Sequence, residues 1–134
     1  MAELLVVIGI LGLILATVVA ARPKAVMTRV AVAGRAVAAT LQLARAQAMA
    51  SNAETVVRID TQTGQFGMPG SMHSLPRGMK VALTVADTER SESSGGIRFY
   101  PDGRSSGGVV ALALDGRSTS VAVNWLTGEP RLRQ

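Results

Sequence analysis

Eighteen consecutive uncharged residues, 4–21, stand between the carboxylate of Glu3 and the guanidinium of Arg22. As a helix rising about 1.5 Å per residue they cover about 27 Å, close to the hydrocarbon thickness of a bilayer. Gly9 and Gly12 fit such a segment, since glycine is commoner in membrane helices than in soluble ones. A secretory signal would carry a basic start, a shorter apolar core and a small-residue cleavage site. Here no Lys or Arg precedes the run and an acidic residue stands at position 3, so a retained anchor is expected.

The chain is 134 residues long, enough for one domain of modest core, and the stem takes about a sixth of it. There is no cysteine, which excludes disulfide frameworks, thiolate metal sites and cysteine nucleophiles. A net charge of +5 suits an anionic partner such as nucleic acid or lipid headgroups, although an arginine-rich solvated face is the commoner cause.

Beyond Arg22 the helix continues, with Pro23 expected to kink it by removing one backbone donor. Val26, Val30, Ala33, Val37, Leu41, Ala44 and Ala48 recur at spacings of three and four, a stripe that packs on a sheet, and Ser51-Asn52 ends the rod. After it comes period-two alternation with glycine-marked turns. Strands are expected at 55–60, 65–66, 79–85, 97–100, 109–114 and 119–125, with tight turns at Thr61–Gly64, Pro101–Gly103 and Asp115-Gly116. Residues 67–78, with three glycines and two prolines, read as loop, and the polar stretch 87–96 reads as a mobile recognition loop. The chain therefore divides into a stem (1–22), an amphipathic helical continuation (23–52) and a small, mainly antiparallel β domain (53–134), an α+β architecture.

Catalytic chemistry is hard to place on these residues. His73 has no second histidine or cysteine to share a metal, and no G-x-S-x-G nucleophile elbow occurs. Asp60, Asp87, Asp102 and Asp115 stand where turns want Asp. PDGRSSGG at 101–108 lacks the phosphate-loop Lys and precedes a strand instead of a helix. Neither an enzyme nor a cofactor or metal site is expected. Glu3 is the oddity: a first-turn carboxylate favours the helix dipole, but near a membrane it calls for a cationic partner, which a neighbouring copy would supply.

The start ELLVVIGILGLI resembles the opening of type IV pilins and type II secretion pseudopilins. IRFYPDGRSSGGVVAL at 97–112 and VAVNWLTGEPRL at 121–132 are similar to the GspH/FimT family of pilin-like proteins, so the resemblance spans nearly the whole chain. It implies a pilin-like fold, with a stem held in the inner membrane before assembly and packed in a filament core afterwards. Glu3 would pair with the N-terminal amine of an adjacent subunit. The family carries a basic leader ending in glycine and then a phenylalanine, whereas Met1-Ala2 stand directly before Glu3 here, so a leader upstream is expected. By charge alone, Arg22 and Lys24 argue for a cytoplasmic C-terminal domain. The resemblance implies a periplasmic one on a single-pass inner-membrane anchor, and is followed.

Three functions compete. The leading one is a minor pseudopilin of the type II secretion system, whose partners would be other pseudopilins through the stem, the inner membrane and secreted cargo. The second is a FimT-like pilus minor pilin that captures DNA through Arg131 and Arg133, with Arg104 and Arg117 nearby, in a salt-sensitive, sequence-independent manner. One Trp, one Tyr and two Phe leave little for base stacking. The third, a simple tether for a binding domain, leaves Glu3 and the long rod without a role.

Overall fold

A computed structural model of the chain describes residues 1–133, with the side chains of residues 19–25 outside the description. Helix α1 spans Ala2–Ser51, about 75 Å at 1.5 Å per residue. Arg22, Pro23 and Lys24, which carry the expectations of a basic flank and a kink, lie outside the described residues. The helix ends as expected, on Asn52 in the left-handed conformation with its N–H donating to Ala48 O.

Eight strands follow: β1 (Thr55–Asp60), β2 (Gln65–Met68), β3 (Ser71–Ser74), β4 (Lys80–Thr84), β5 (Ser94–Phe99), β6 (Gly108–Leu114), β7 (Arg117–Val123) and β8 (Pro130–Arg133). They form two antiparallel four-stranded sheets, ordered β3-β2-β1-β5 and β4-β6-β7-β8. The second half of α1 lies against both. Val30, Ala33, Val37, Leu41, Ala44 and Ala48 of the expected stripe are buried, and Val26 is half-buried. Their partners in one core include Val57, Ile59, Phe99, Leu112 and Val121 from the two sheets. The small side chains of the stripe let the rod sit close: a Cβ on Gly34 would stand 2.9 Å from both Leu132 Cδ1 and Thr119 Cγ2.

Three expectations need correction. Residues 67–78 are not all loop: Gly67 and Met68 complete β2, and Ser71–Ser74, with His73, form β3. Pro69-Gly70 is the two-residue turn between them, with Gly70 at φ 84°, so the proline and glycine mark one tight turn within a hairpin. Segment 87–96 is more ordered than its composition suggests. It holds a 3-10 turn at Asp87–Glu89, and β5 begins at Ser94. Gly95 and Gly96 sit inside that strand because a Cβ there would press on Leu83 and Val56, a close-approach role that sequence alone reads as flexibility. Finally, β7 stops at Val123, so Trp125 lies in a turn and not at a strand end. The turn at Asp115-Gly116 is as expected, with φ of 47° and 78° between the paired residues Leu114 and Arg117.

Candidate interaction surfaces

The first surface is the stem. Leu4, Leu5, Val6, Val7, Ile8, Ile10, Leu11, Leu13, Ile14, Leu15 and Val18 are each 51–74% exposed and face every side of the helix. A helix that is apolar all round has no solvent face and needs lipid or other helices about it. Covering these eleven exposed side chains is worth on the order of 10–20 kcal/mol, at about 1.5–3 kcal/mol for each side chain taken from full exposure to burial. Glu3 sits exposed in the first turn, with no side-chain capping bond at Met1. One charge in a membrane costs about 3 kcal/mol or less near a helix end. On these magnitudes, burial of the stem outweighs the cost of one carboxylate at its start. The described stem side chains end at Val18; among the described residues no helix is long and apolar enough to cross a membrane.

The second surface is built where two turns meet at the far end of α1. Tyr100–Arg104 closes through Gly103 N–H to Tyr100 O and Tyr100 N–H to Arg104 O. Asn124–Glu129 closes through Gly128 N–H to Asn124 O at 2.7 Å, with Asn124 Oδ1 accepting from Leu126 and Thr127. Ser105 ties one to the other, its N–H donating to Trp125 O and its hydroxyl to Asn124 O. Arg45 from α1 clamps both: its Nε–H is shared between Gly103 O and Thr127 O, each at 3.1 Å. Gly128, at φ 69°, lies so close to the Gly103 carbonyl that any side chain there would collide with it. The result holds Trp125 and Leu126 out into solvent, 64% and 55% exposed. Nothing in the sequence pairs Arg45 with these turns, since 58 and 82 residues separate them.

The charged residues form separate groups. Arg98 on β5 donates to Glu89 at 2.7 Å and Glu54 at 2.9 Å, joining the 3-10 turn, the sheet and the link between α1 and β1. Its bonds to Glu89 above all, and then to Glu54, raise its pKa despite partial burial. This triad too was not legible in the sequence.

Of the four arginines singled out, Arg131 and Arg133 share the outward face of β8, where they alternate with inward-facing Leu132. Arg131 lies 3.7 Å from Glu129. Arg104 is engaged by Asp102 at 2.6 Å, which holds the Asp102 carboxyl below its usual range. Arg117 begins β7, the opposite end of that strand from the Arg104 turn, and lines a cleft with Met27 and Val30 of α1. The four are therefore not one patch. Among the described residues no group of His, Asp and Glu is arranged to hold a metal.

Comparison with known proteins agrees with this geometry. Residues 33–128 match the family model described as type II transport protein GspH, a span that takes in the buried stripe of α1 from Ala33 on, β1 to β7, Arg45, the Tyr100–Arg104 turn and all but the last residue of the Asn124–Glu129 turn. The chain is 38% identical over 101 residues to the type II secretion system protein H of Xanthomonas campestris pv. campestris. That match covers 74% of this chain and 60% of the relative, so the chain spans about three fifths of the relative's length. Among solved structures it is similar to the minor pseudopilin EpsH of Vibrio cholerae, with a TM-score of 0.64 at 15% identity over 81% of this chain and 95% of that one. It is also similar to the type IV minor pilin FimU of Pseudomonas aeruginosa, with a TM-score of 0.63 at 12% identity over 80% and 90%. At those identities the likeness is one of fold, the pilin fold of a long helix laid on antiparallel sheets. The family match over most of the chain carries the assignment: this protein belongs to the GspH family of type II transport proteins and, with it, to a class of structural subunits that are not enzymes.

Proposed function

We propose that the chain is a minor pseudopilin of a type II secretion system, a subunit at or near the tip of a short periplasmic filament that aids export of folded proteins across the outer membrane. Its stem, 1–22, would anchor it once in the inner membrane before assembly and pack among the stems of other pseudopilins afterwards. Residues 23–52 would carry that stem into a periplasmic β domain, 53–134, available to other subunits or to cargo. The observation that carries this reading is the stem, apolar on every side with one carboxylate at its start. A tether alone would need the apolar run but not Glu3. A neighbour's N-terminal amine is the partner that makes sense of both.

The test is the protein content of the culture medium from a strain lacking this gene. Exported enzymes should accumulate in the periplasm instead, and re-expression of the wild-type chain should restore them to the medium. An unchanged medium sinks the reading.

A second reading, DNA capture, takes support from Arg131 and Arg133 on one exposed face of β8. Electrostatic binding through two or so phosphates would lose affinity with a log–log salt slope of about −2. If the full chain in detergent micelles retains no duplex DNA at low salt, this reading falls.

A further inference from the structure

Trp125 is the only tryptophan of the chain, and it stands 64% exposed on a turn that is clamped from three directions. On one side it walls a cleft of about 580 Å³ with Tyr100, Pro101, Asp102, Arg104 and Ser105. On the other it walls a second cleft of about 340 Å³ with Val85, Gly107, Gly108 and Val123 among its lining. Trp125 therefore stands as a ridge between two adjacent hollows, the first also lined by the chain's only tyrosine.

The lining restricts the ligand. Asp102 and Arg104 neutralise each other at the rim of the first cleft, so an anion gains little there. Both bonds of that pair run from Nε and Nη2 to one carboxylate oxygen, which leaves the Nη1 donors of Arg104 unused by it. Ser105 is spent inside the turn, accepting from Gly107 N–H while donating to Asn124 O. The second cleft is lined mainly by aliphatic side chains and glycine backbone. The site thus suits a neutral ligand that offers rigid apolar faces and carbonyl oxygens in want of a donor.

An extended polyproline-type peptide has both properties. It makes no internal hydrogen bonds, so its carbonyls are free, and residues of one phase recur every third position, about 9 Å apart. Such segments lose little conformational entropy on docking and favour grooves walled by aromatic rings. We propose that the Trp125 ridge and its two flanking clefts form a docking site for an extended proline-rich peptide segment. The site lies at the far end of α1 from the stem, so a bound segment would leave stem packing undisturbed. It does not depend on the chain's role in secretion.

The lone indole is its own probe. The full chain, held in zwitterionic detergent micelles without sugar headgroups, would be titrated with a blocked twelve-residue peptide of Pro-Pro-Ala repeats. A matched Gly-Ser-Ala peptide and chitotetraose would be titrated in parallel. The expected result is a saturable blue shift of the tryptophan emission with the proline peptide alone. Tyr100→Ala, which keeps the indole, should weaken that binding about fivefold or more, and calorimetry should find no binding to Trp125→Ala. No saturable change up to millimolar peptide overturns the proposal, as does an equal response to the Gly-Ser-Ala peptide. Saturation by chitotetraose and not by the proline peptide would make the clefts a glycan site and overturn it equally.

Discussion

Replacing Arg45 with methionine tests whether one guanidinium holds the far end of the molecule together. Methionine keeps most of the aliphatic stem and removes only the donor. Because a single Nε–H serves both Gly103 O and Thr127 O at 3.1 Å, the loss is one shared charged bond and not two independent ones. A hydrogen bond from a charged group is worth about 1.5–3 kcal/mol. The half-exposed site lets water replace part of it, which puts the cost of Arg45→Met at about 1.5–2 kcal/mol. Urea unfolding of the full chain in micelles, followed by Trp125 emission, would report the change where it occurs. Arg35→Met, on the exposed side of the same helix, should stay within about 0.5 kcal/mol of wild type. Hydrogen exchange adds a local signature: protection of Gly128 N–H and Ser105 N–H should fall, while that of Val57 and Val121 in the strands should not. Equal midpoints for Arg45→Met and Arg35→Met would refute the clamp.

Other perturbations follow from the same geometry. Leu41→Ala should cost about 2–5 kcal/mol because Leu41 is fully buried, whereas Leu43→Ala, two residues on and 59% exposed, should cost less than about 0.5; parallel denaturation curves decide it. Gly128→Ala and Gly116→Ala both force a side chain into positive φ, at about 1–2 kcal/mol each. Only Gly128→Ala also drives a Cβ into the Gly103 carbonyl, so it should be clearly the more destabilising when the two melting temperatures are compared. The Asp60 carboxylate accepts N–H bonds from Thr63 and Gln62, which hold it below its ordinary value of 3.8. Its contribution is therefore complete above that ordinary value and is lost as pH falls through the lower folded-state value. Asp60→Asn should lower stability in the neutral region, where the wild-type contribution is complete, and flatten the acid limb, so that denaturation midpoints of the two proteins converge as pH falls through the folded-state value.

The elements that the sequence made legible are those in which one physical requirement dominates. The stripe from Val30 to Ala48 is buried as its 3.6 periodicity demands, and Asp115-Gly116 makes the tight turn that its residue types favour. Where one residue type serves two ends, sequence reading faltered. Glycines at 95 and 96 admit neighbouring Leu83 and Val56 side chains instead of loosening the chain, and Pro69-Gly70 reverses a hairpin that composition alone had dissolved into loop. The interaction surfaces were least legible, because they depend on partners far apart in the chain. Arg45 reaches Gly103 and Thr127, and Arg98 draws in Glu54 from the link between the helix and β1. Alternation carries the expected strand to Trp125, yet strand pairing stops at Val123 and the clamped turn carries the ring outward. The resemblance had placed both turn segments in one family signature without saying that they touch.

The most direct test of the stem as an assembly element uses the absence of cysteine from the chain, which lets one be introduced without background. Ile10→Cys places a thiol midway along the exposed apolar stem, and a pilin-like partner subunit would carry a cysteine at the matching depth. Oxidation in membranes of a secreting strain should yield a disulfide-linked pair, and Glu3→Ala in the same chain should abolish it while leaving the amount of protein unchanged. A linked pair that forms equally well without the Glu3 carboxylate, or none at all in the assembled system, would contradict the account.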